Sequence, residues 1–417
     1  MSSSFTHGAG ALTRRTVTTS AALAAALLLT GGGRAPARPA AAAPAGGRTL
    51  RLPAPTGPHR IGHTTLYLAD PTRRDPWEPA LAVREVMATV WYPARAVHGH
   101  PVAPQMTADA AALFARIDAE IHHLPTSGVD WAATMTHAHR GAPAQPVRRP
   151  VLLYSPGGGD PRTMGTGVAE ELAGHGWVVV AVDHPGDAGE VAFPTARAGR
   201  ERVRPTVFRG DPRTSPEIFR TAIDTRIADL RFVLDQLEVL AAGGNPDAAG
   251  RPLPPDLGRA LDLRRVGAYG HSAGGTAVTE AMYEDRRIGA AVNLEGHLDH
   301  PAPGPGREGE LFPVARHGVD RPLLLLGTDG FPGRAEMARS WSAMLAHPRG
   351  HTRRRQIDHA AHAVFTDYAA LAPQLQAAGL MPPEDRVALV GAIDPAVSVP
   401  LVRHHIRSFF ARHLPGH

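Results

Sequence analysis

The 417-residue sequence contains no cysteine and no lysine. The first absence excludes disulfides, thiol catalysis and cysteine-ligated metals. The second makes all 44 basic side chains arginine. Beside so much alanine, glycine and proline, that bias reads as the coding habit of a GC-rich bacterium. No run of apolar residues is long enough for a stable membrane span. No internal repeat is visible. Strong charge is also missing. The formal balance is +5, but residues 1–43 hold Arg14, Arg15, Arg34 and Arg38 and no acid. Without them 40 basic residues face 39 acidic ones. A nearly neutral chain with scattered arginine gives no case for nucleic-acid binding.

The N-terminus has the order of an export signal: a polar stretch, then Thr13-Arg14-Arg15-Thr16, then the apolar run VTTSAALAAALLLT, then small residues. The adjacent arginines resemble a twin-Arg signal, which implies the twin-Arg export machinery as a partner of the precursor and a secreted product. Val17 and Thr18 depart from the usual Phe and Leu. Cleavage is expected among residues 35–45, with 1–43 as signal, 44–58 as a Pro/Gly-rich linker and 59–417 as a single domain. The 43% hydrophobic content suffices for a sizeable core.

Eight apolar, β-rich runs follow: 64–69, 86–94, 150–157, 177–186, 264–272, 288–296, 321–330 and 353–362. Helical patterns stand between them at 163–176, 215–240, 276–285 and 335–347. Strand-helix alternation predicts an α/β domain with a doubly wound, mostly parallel sheet of about eight strands. The later runs are almost continuously apolar, as strands covered on both faces should be. The first two have only a turn-rich link and are expected to pair antiparallel. Segments 101–147 (with a helix over 107–124) and 187–215 stand outside this pattern, either as cap-like insertions over a site or as surface additions.

Gly270-His271-Ser272-Ala273-Gly274 satisfies G-x-S-x-G, between an apolar strand and a helix-like run. A strand that turns sharply into a helix forces its central residue into a strained conformation. Only the smallest neighbours fit there. The turn would lift the Ser272 hydroxyl into a cleft, with the helix N-terminus offering amide donors. A serine nucleophile needs a base. His359 and His362 follow the last strand-like run, where the order Ser, acid, His would place it. The base needs a carboxylate, and Glu295 and Asp329 each directly follow an apolar strand. Acyl transfer also needs oxyanion donors, and Pro156-Gly157-Gly158-Gly159 supplies a loop of exposed amides. No Lys-Ser/Thr follows that glycine run and G-x-G-x-x-G is absent, which speaks against nucleotide binding.

The pieces VWYPA (90–94), LLYSPGGGDPRTMGTGVAEELAGHGWVVVAVDHPG (152–186), RRVGAYGHSAGGTA (264–277), AAVNLEG (290–296), PLLLLG (322–327) and HAVFTDY (362–368) stand in the order of a known family. The chain resembles the secreted α/β-hydrolases related to platelet-activating factor acetylhydrolase, with their bacterial lipase and esterase relatives. The resemblance implies an α/β-hydrolase fold with Ser272 as nucleophile. The family's His opens H-x-x-F-x-D, which selects His362 over His359. Its acid follows the strand after the elbow in a Leu-Asp pair. Here Glu295 stands in that place, so Asp329 remains as the alternative. The oxyanion donors carry over to the amides of Gly158 and Ala273. Pro156 departs from the usual His but leaves the amide of Gly158 free.

The implied reaction is two-step acyl transfer on a small-molecule or lipid ester, short-chain or phospholipid-like, with no metal or organic cofactor required. Two other readings stay open: a polyester or cutinase-like hydrolase, which would want an open site, and a non-catalytic binding protein of the same fold. Transfer to an acceptor other than water also stays open.

Overall fold

The computed structural model describes residues 47–304, 306–347 and 351–415. The export signal expected over 1–43 lies outside them. The strands are β1 (Ile61–Asp70), β2 (Arg84–Pro93), β3 (Val102–Pro104), β4 (Met135–Arg140), β5 (Arg149–Ser155), β6 (Val178–Asp183), β7 (Glu190–Ala192), β8 (Val203–Pro205), β9 (Leu261–His271), β10 (Ile288–Leu294), β11 (Leu323–Thr328) and β12 (Thr352–Ile357). The helices are α1 (Ala108–His122), α2 (Thr166–Gly174), α3 (Pro216–Ala241), α4 (Ala273–Glu284), α5 (Pro313–His317), α6 (Arg334–Leu345), α7 (Tyr368–Ala377), α8 (Pro383–Val390) and α9 (Pro395–His413).

Among the described residues, ten strands form one sheet in the order β12-β11-β10-β9-β5-β6-β2-β1-β4-β3. The run from β12 to β6 is parallel throughout. β2 joins it antiparallel to β6, and β1 pairs antiparallel with β2, as expected for two strands joined by turns. All eight apolar runs are in the sheet. The two additional members, β3 and β4, extend its edge from the 101–147 segment.

Alternate residues of each central strand serve opposite faces, because successive side chains point to opposite sides of the pleat. Val151 and Leu153 join Val178, Val180 and Val182 beneath α3 and α4. Leu152 and Tyr154 join Val179 and Ala181 beneath α2 and α9. This doubly wound arrangement requires both strand faces to be apolar, which is why VLLY and VVVAV lack alternation. Residues 47–58 do not behave as a free linker. Leu50 and Leu52 are buried against α1 and α7, and Arg403 of α9 donates to the carbonyls of Pro53 and Ala54, both at 2.8 Å.

After β5 the chain moves one way along the sheet to β6. After β9 it moves the other way to β10. Adjacent strands whose connections diverge leave a crevice at their C-terminal ends. β5 ends at Ser155 and β9 at His271, so the glycine loop and Ser272 open onto that crevice.

Candidate active site

Ser272 sits between the end of β9 and the start of α4 with φ 53° and ψ −121°. A positive φ at a residue with a Cβ is strained and has to be held by its surroundings. The Ser272 amide donates to the Leu294 carbonyl at 2.8 Å. A Cβ at Gly270 would run into the backbone of Gly274, and one at Gly274 into the carbonyls of Ser155 and Pro156. The small residues flanking Ser272 are therefore required by backbone packed against backbone.

His362 opens a short 3-10 turn after β12. Its Nδ1–H donates to Glu295 Oε2 at 2.8 Å. That bond leaves the lone pair on Nε2, the arrangement a general base needs. Glu295 is fully buried and has φ 60°. Its other oxygen accepts from the amide of Thr328 and, at 2.6 Å, from the Thr328 hydroxyl. With three donors converging on one carboxylate, the charge needs no water. Asp329 is placed elsewhere. It is exposed and accepts the amides of His359 (2.9 Å) and Ala360 (3.2 Å), so it caps the turn that carries His362. Those two amides hold its carboxyl below the ordinary aspartate value. Burial lowers the pKa of His362, the nearby His271 lowers it further, and Glu295 opposes both. A neutral imidazole at neutral pH is the consequence. The ring of Phe331 stacks on it, centroids 4.3 Å apart.

The glycine loop faces the elbow. An ideal Cβ on Gly158 would lie 3.6 Å from Ala273 Cβ and 3.8 Å from Pro212 Cγ. The amides of Gly158 and Ala273 have no acceptor among the described residues, whereas Gly159 N–H is committed to Asp187 Oδ1 at 3.0 Å. Arg226, fully buried on α3, fixes the loop from below. It donates to the carbonyls of Pro156 (2.6 Å) and Gly157 (2.8 Å) and pairs with Asp187 at 2.6 Å. The 187–215 segment thus contacts the site through Asp187, Pro212 and Gly189, whose amide donates to the Gly159 carbonyl at 2.6 Å. Sequence reasoning missed Arg226 and Asp187. Their partners lie far away along the chain, and an arginine within an amphipathic helix gives no sign of pointing inward.

A second Ser-His-Asp set lies beneath this loop. Ser155 Oγ is 3.0 Å from His184 Nε2, and His184 Nδ1 is 3.0 Å from Asp229 Oδ2. All three are sealed from solvent. Asp229 is held by Arg84 at 2.7 Å and Arg73 at 2.9 Å. With no access for a substrate, this set braces the ends of β5 and β6 against α3.

Fold and crevice together define an ester hydrolase of α/β-hydrolase architecture. The chain belongs to the family of platelet-activating factor acetylhydrolase, isoform II, whose model matches residues 49–416. It is 26% identical over 386 residues to a probable 1-alkyl-2-acetylglycerophosphocholine esterase from Arthroderma benhamiae, covering 88% of each chain. It is 22% identical to platelet-activating factor acetylhydrolase of Cavia porcellus over 64% of this chain and 57% of that one. Among solved structures, a ferulic acid esterase from Streptomyces cinnamoneus superposes with a TM-score of 0.66 at 31% identity, over 89% of this chain and 94% of that one.

Proposed function

We propose that the chain is a serine carboxylic-ester hydrolase acting through Ser272, His362 and Glu295. The 2.8 Å bond from His362 Nδ1 to a fully buried Glu295 carries the reading, because it fixes the tautomer that can accept the Ser272 proton. Ser272 attacks the ester carbonyl, and the oxyanion forms between the Gly158 and Ala273 amides. His362 then gives its proton to the departing alcohol. Water, deprotonated by His362, releases the acid from the acyl-enzyme. Glu295 in place of aspartate is accommodated by its own positive φ and by the two Thr328 donors. The substrates we assign are short-chain or phospholipid-like esters, in line with the acetyl-esterase relatives. Pro212 of the 187–215 segment lies beside Gly158, which speaks against the open site that the polyester reading wants. The likeness to a ferulic acid esterase supports hydroxycinnamate esters as a second substrate class.

The test is kcat/KM on p-nitrophenyl esters of rising acyl length and on methyl ferulate, with Ser272→Ala as control. Activity that peaks at acetyl or butyryl and disappears in the control supports the first reading. A preference for ferulate moves the assignment to the second. A folded wild-type protein inactive on all of them removes both and favours a binding role. We further propose that residues 1–43 direct twin-Arg export. Exchange of Arg14 and Arg15 for lysine should keep the enzyme inside the cell, and undiminished secretion would refute the signal.

A further inference from the structure

Beside the glycine loop lies a polar cluster that the acyl-transfer chemistry does not use. Asp118 and His122 stand one helical turn apart on α1, so both side chains project from the same face. Asp160 closes the loop that carries Gly158, its amide donating to Gly157 O at 3.2 Å. His122 Nε2 is 3.4 Å from Asp160 Oδ1 and 3.8 Å from Asp118 Oδ1. One ligand-type atom from each of the three residues lies within 4.8 Å of the other two.

Ion pairing alone leaves this cluster incompletely satisfied. Asp118 is 1% exposed, yet its Oδ2 has no hydrogen-bond partner among the described residues, while Oδ1 accepts from the Tyr368 hydroxyl. His271 is 3% exposed, and its Nδ1 also lacks a partner while facing Asp160 Oδ2 at 3.6 Å. The other nitrogen of His271 lies 2.9 Å from the His362 carbonyl, which can only accept, so Nε2 carries the proton there. Glu190 adds a further buried carboxyl with an unpartnered Oε2. Arg162 is paired with Asp183 rather than with this cluster. Two buried carboxyl oxygens and one buried imidazole nitrogen thus stand without a protein partner among the described residues, and buried polar groups of that kind are satisfied by protons or by a cation.

We propose that Asp118, His122 and Asp160 bind one divalent transition-metal ion, through His122 Nε2 and one carboxylate oxygen from each aspartate. One imidazole with two carboxylates suits zinc, manganese or cobalt, whereas calcium prefers an all-oxygen set. The carboxylates are buried and His122 is only partly so, which gives the ion a route in from solvent. Tyr368 orients the Asp118 carboxylate from behind, as outer partners of metal ligands do. The ion would tie α1, part of the 101–147 segment, to the loop bearing Gly158. Its role is to hold that loop, and it takes no part in acyl transfer.

Zinc serves as the probe. The full chain is stripped with EDTA, loaded with zinc, freed of unbound metal and analysed for metal content and Tm. The comparison is with His122→Ala and Asp118→Asn. Asp118→Asn keeps the side-chain shape and the Tyr368 bond, so it carries the test if His122→Ala does not fold. The wild type should retain about one equivalent more zinc than either variant, because each lacks one of three protein ligands. Its Tm should rise by several degrees with zinc, and the variants' should not. Equal zinc in wild type and variants, or a wild-type Tm that ignores both zinc and EDTA, would overturn the site and leave His122 as an ordinary imidazolium partner of Asp160.

Discussion

At the scale of single residues, the site separates two carboxylates that the sequence leaves side by side. Glu295 and Asp329 each follow an apolar strand, and only the family resemblance, through the Leu294-Glu295 pair, favours Glu295. In three dimensions Glu295 is buried against His362, and Asp329 caps a turn in solvent. Their amide variants should differ accordingly. Glu295→Gln puts a donor where His362 Nδ1–H needs an acceptor, so kcat/KM should fall by roughly 10³–10⁴. Asp329→Asn loses part of a turn cap, at a cost of about 0.5–1.5 kcal/mol of stability, and should keep activity within about tenfold. Profiles of kcat/KM against pH on one ester check both. On the proposed mechanism, the active form of the wild type carries neutral His362. Its pKa is lowered from 6.5 by burial and by His271, against the pull of Glu295. Activity should therefore be lost on acidification with a midpoint below 6.5 and stay level through neutrality. A wild-type midpoint above 6.5, or an Asp329→Asn defect larger than that of Glu295→Gln, would refute the assignment.

At the scale of elements, what could be read locally was legible. The eight sheet strands announce themselves because burial on both faces demands continuous apolar residues. The elbow does so because a strained turn demands glycine. β3 and β4 were not legible, being short and, in MTHAHR, largely polar, since the sheet edge needs only one apolar face. The C-terminal helices α7 and α9 carry internal prolines, Pro373 and Pro400, which blur any helical signal. The clamp of Arg226 and Asp187 on the glycine loop escaped because it joins α3 to two distant loops. The elbow also makes a quantitative claim. Gly274→Ala would drive a methyl into the carbonyls of Ser155 and Pro156, so the strand-turn-helix must shift, at a cost on the order of 3 kcal/mol. Gly210→Ala, with nothing near its added methyl, is the matched control. Thermal melts should show a fall of several degrees for Gly274→Ala, with activity lost alongside, and no change for Gly210→Ala. Equal melts would mean that the flanking glycine is not enforced by packing.

At the scale of the whole molecule, the body closes on itself through residues far apart in the chain. The stretch 47–58 belongs to it even though Pro and Gly make it read as a connector. Leu50 and Leu52 are buried, the Thr56 amide and hydroxyl donate to Glu171 of α2 at 2.8 and 2.7 Å, and Arg403 of α9 holds the backbone at Pro53 and Ala54. Removal of the stretch would expose the apolar surface of α7 beneath it and leave Glu171 and Arg403 short of partners. Two buried leucines contribute about 1.5–3 kcal/mol each. Spread over the unfolding entropy of a chain this size, that is a Tm difference of roughly 4–8 °C. A chain starting at residue 47 should therefore melt higher than one starting at 59 by that margin. Ester hydrolysis at low temperature should be nearly equal in the two, since Ser272, His362 and Glu295 touch none of the deleted residues. Coincident melting curves would mean that the stretch lies on the body without stabilising it. A loss of hydrolysis in the shorter chain while still folded would mean that α2, α7 and α9 transmit its packing to the glycine loop.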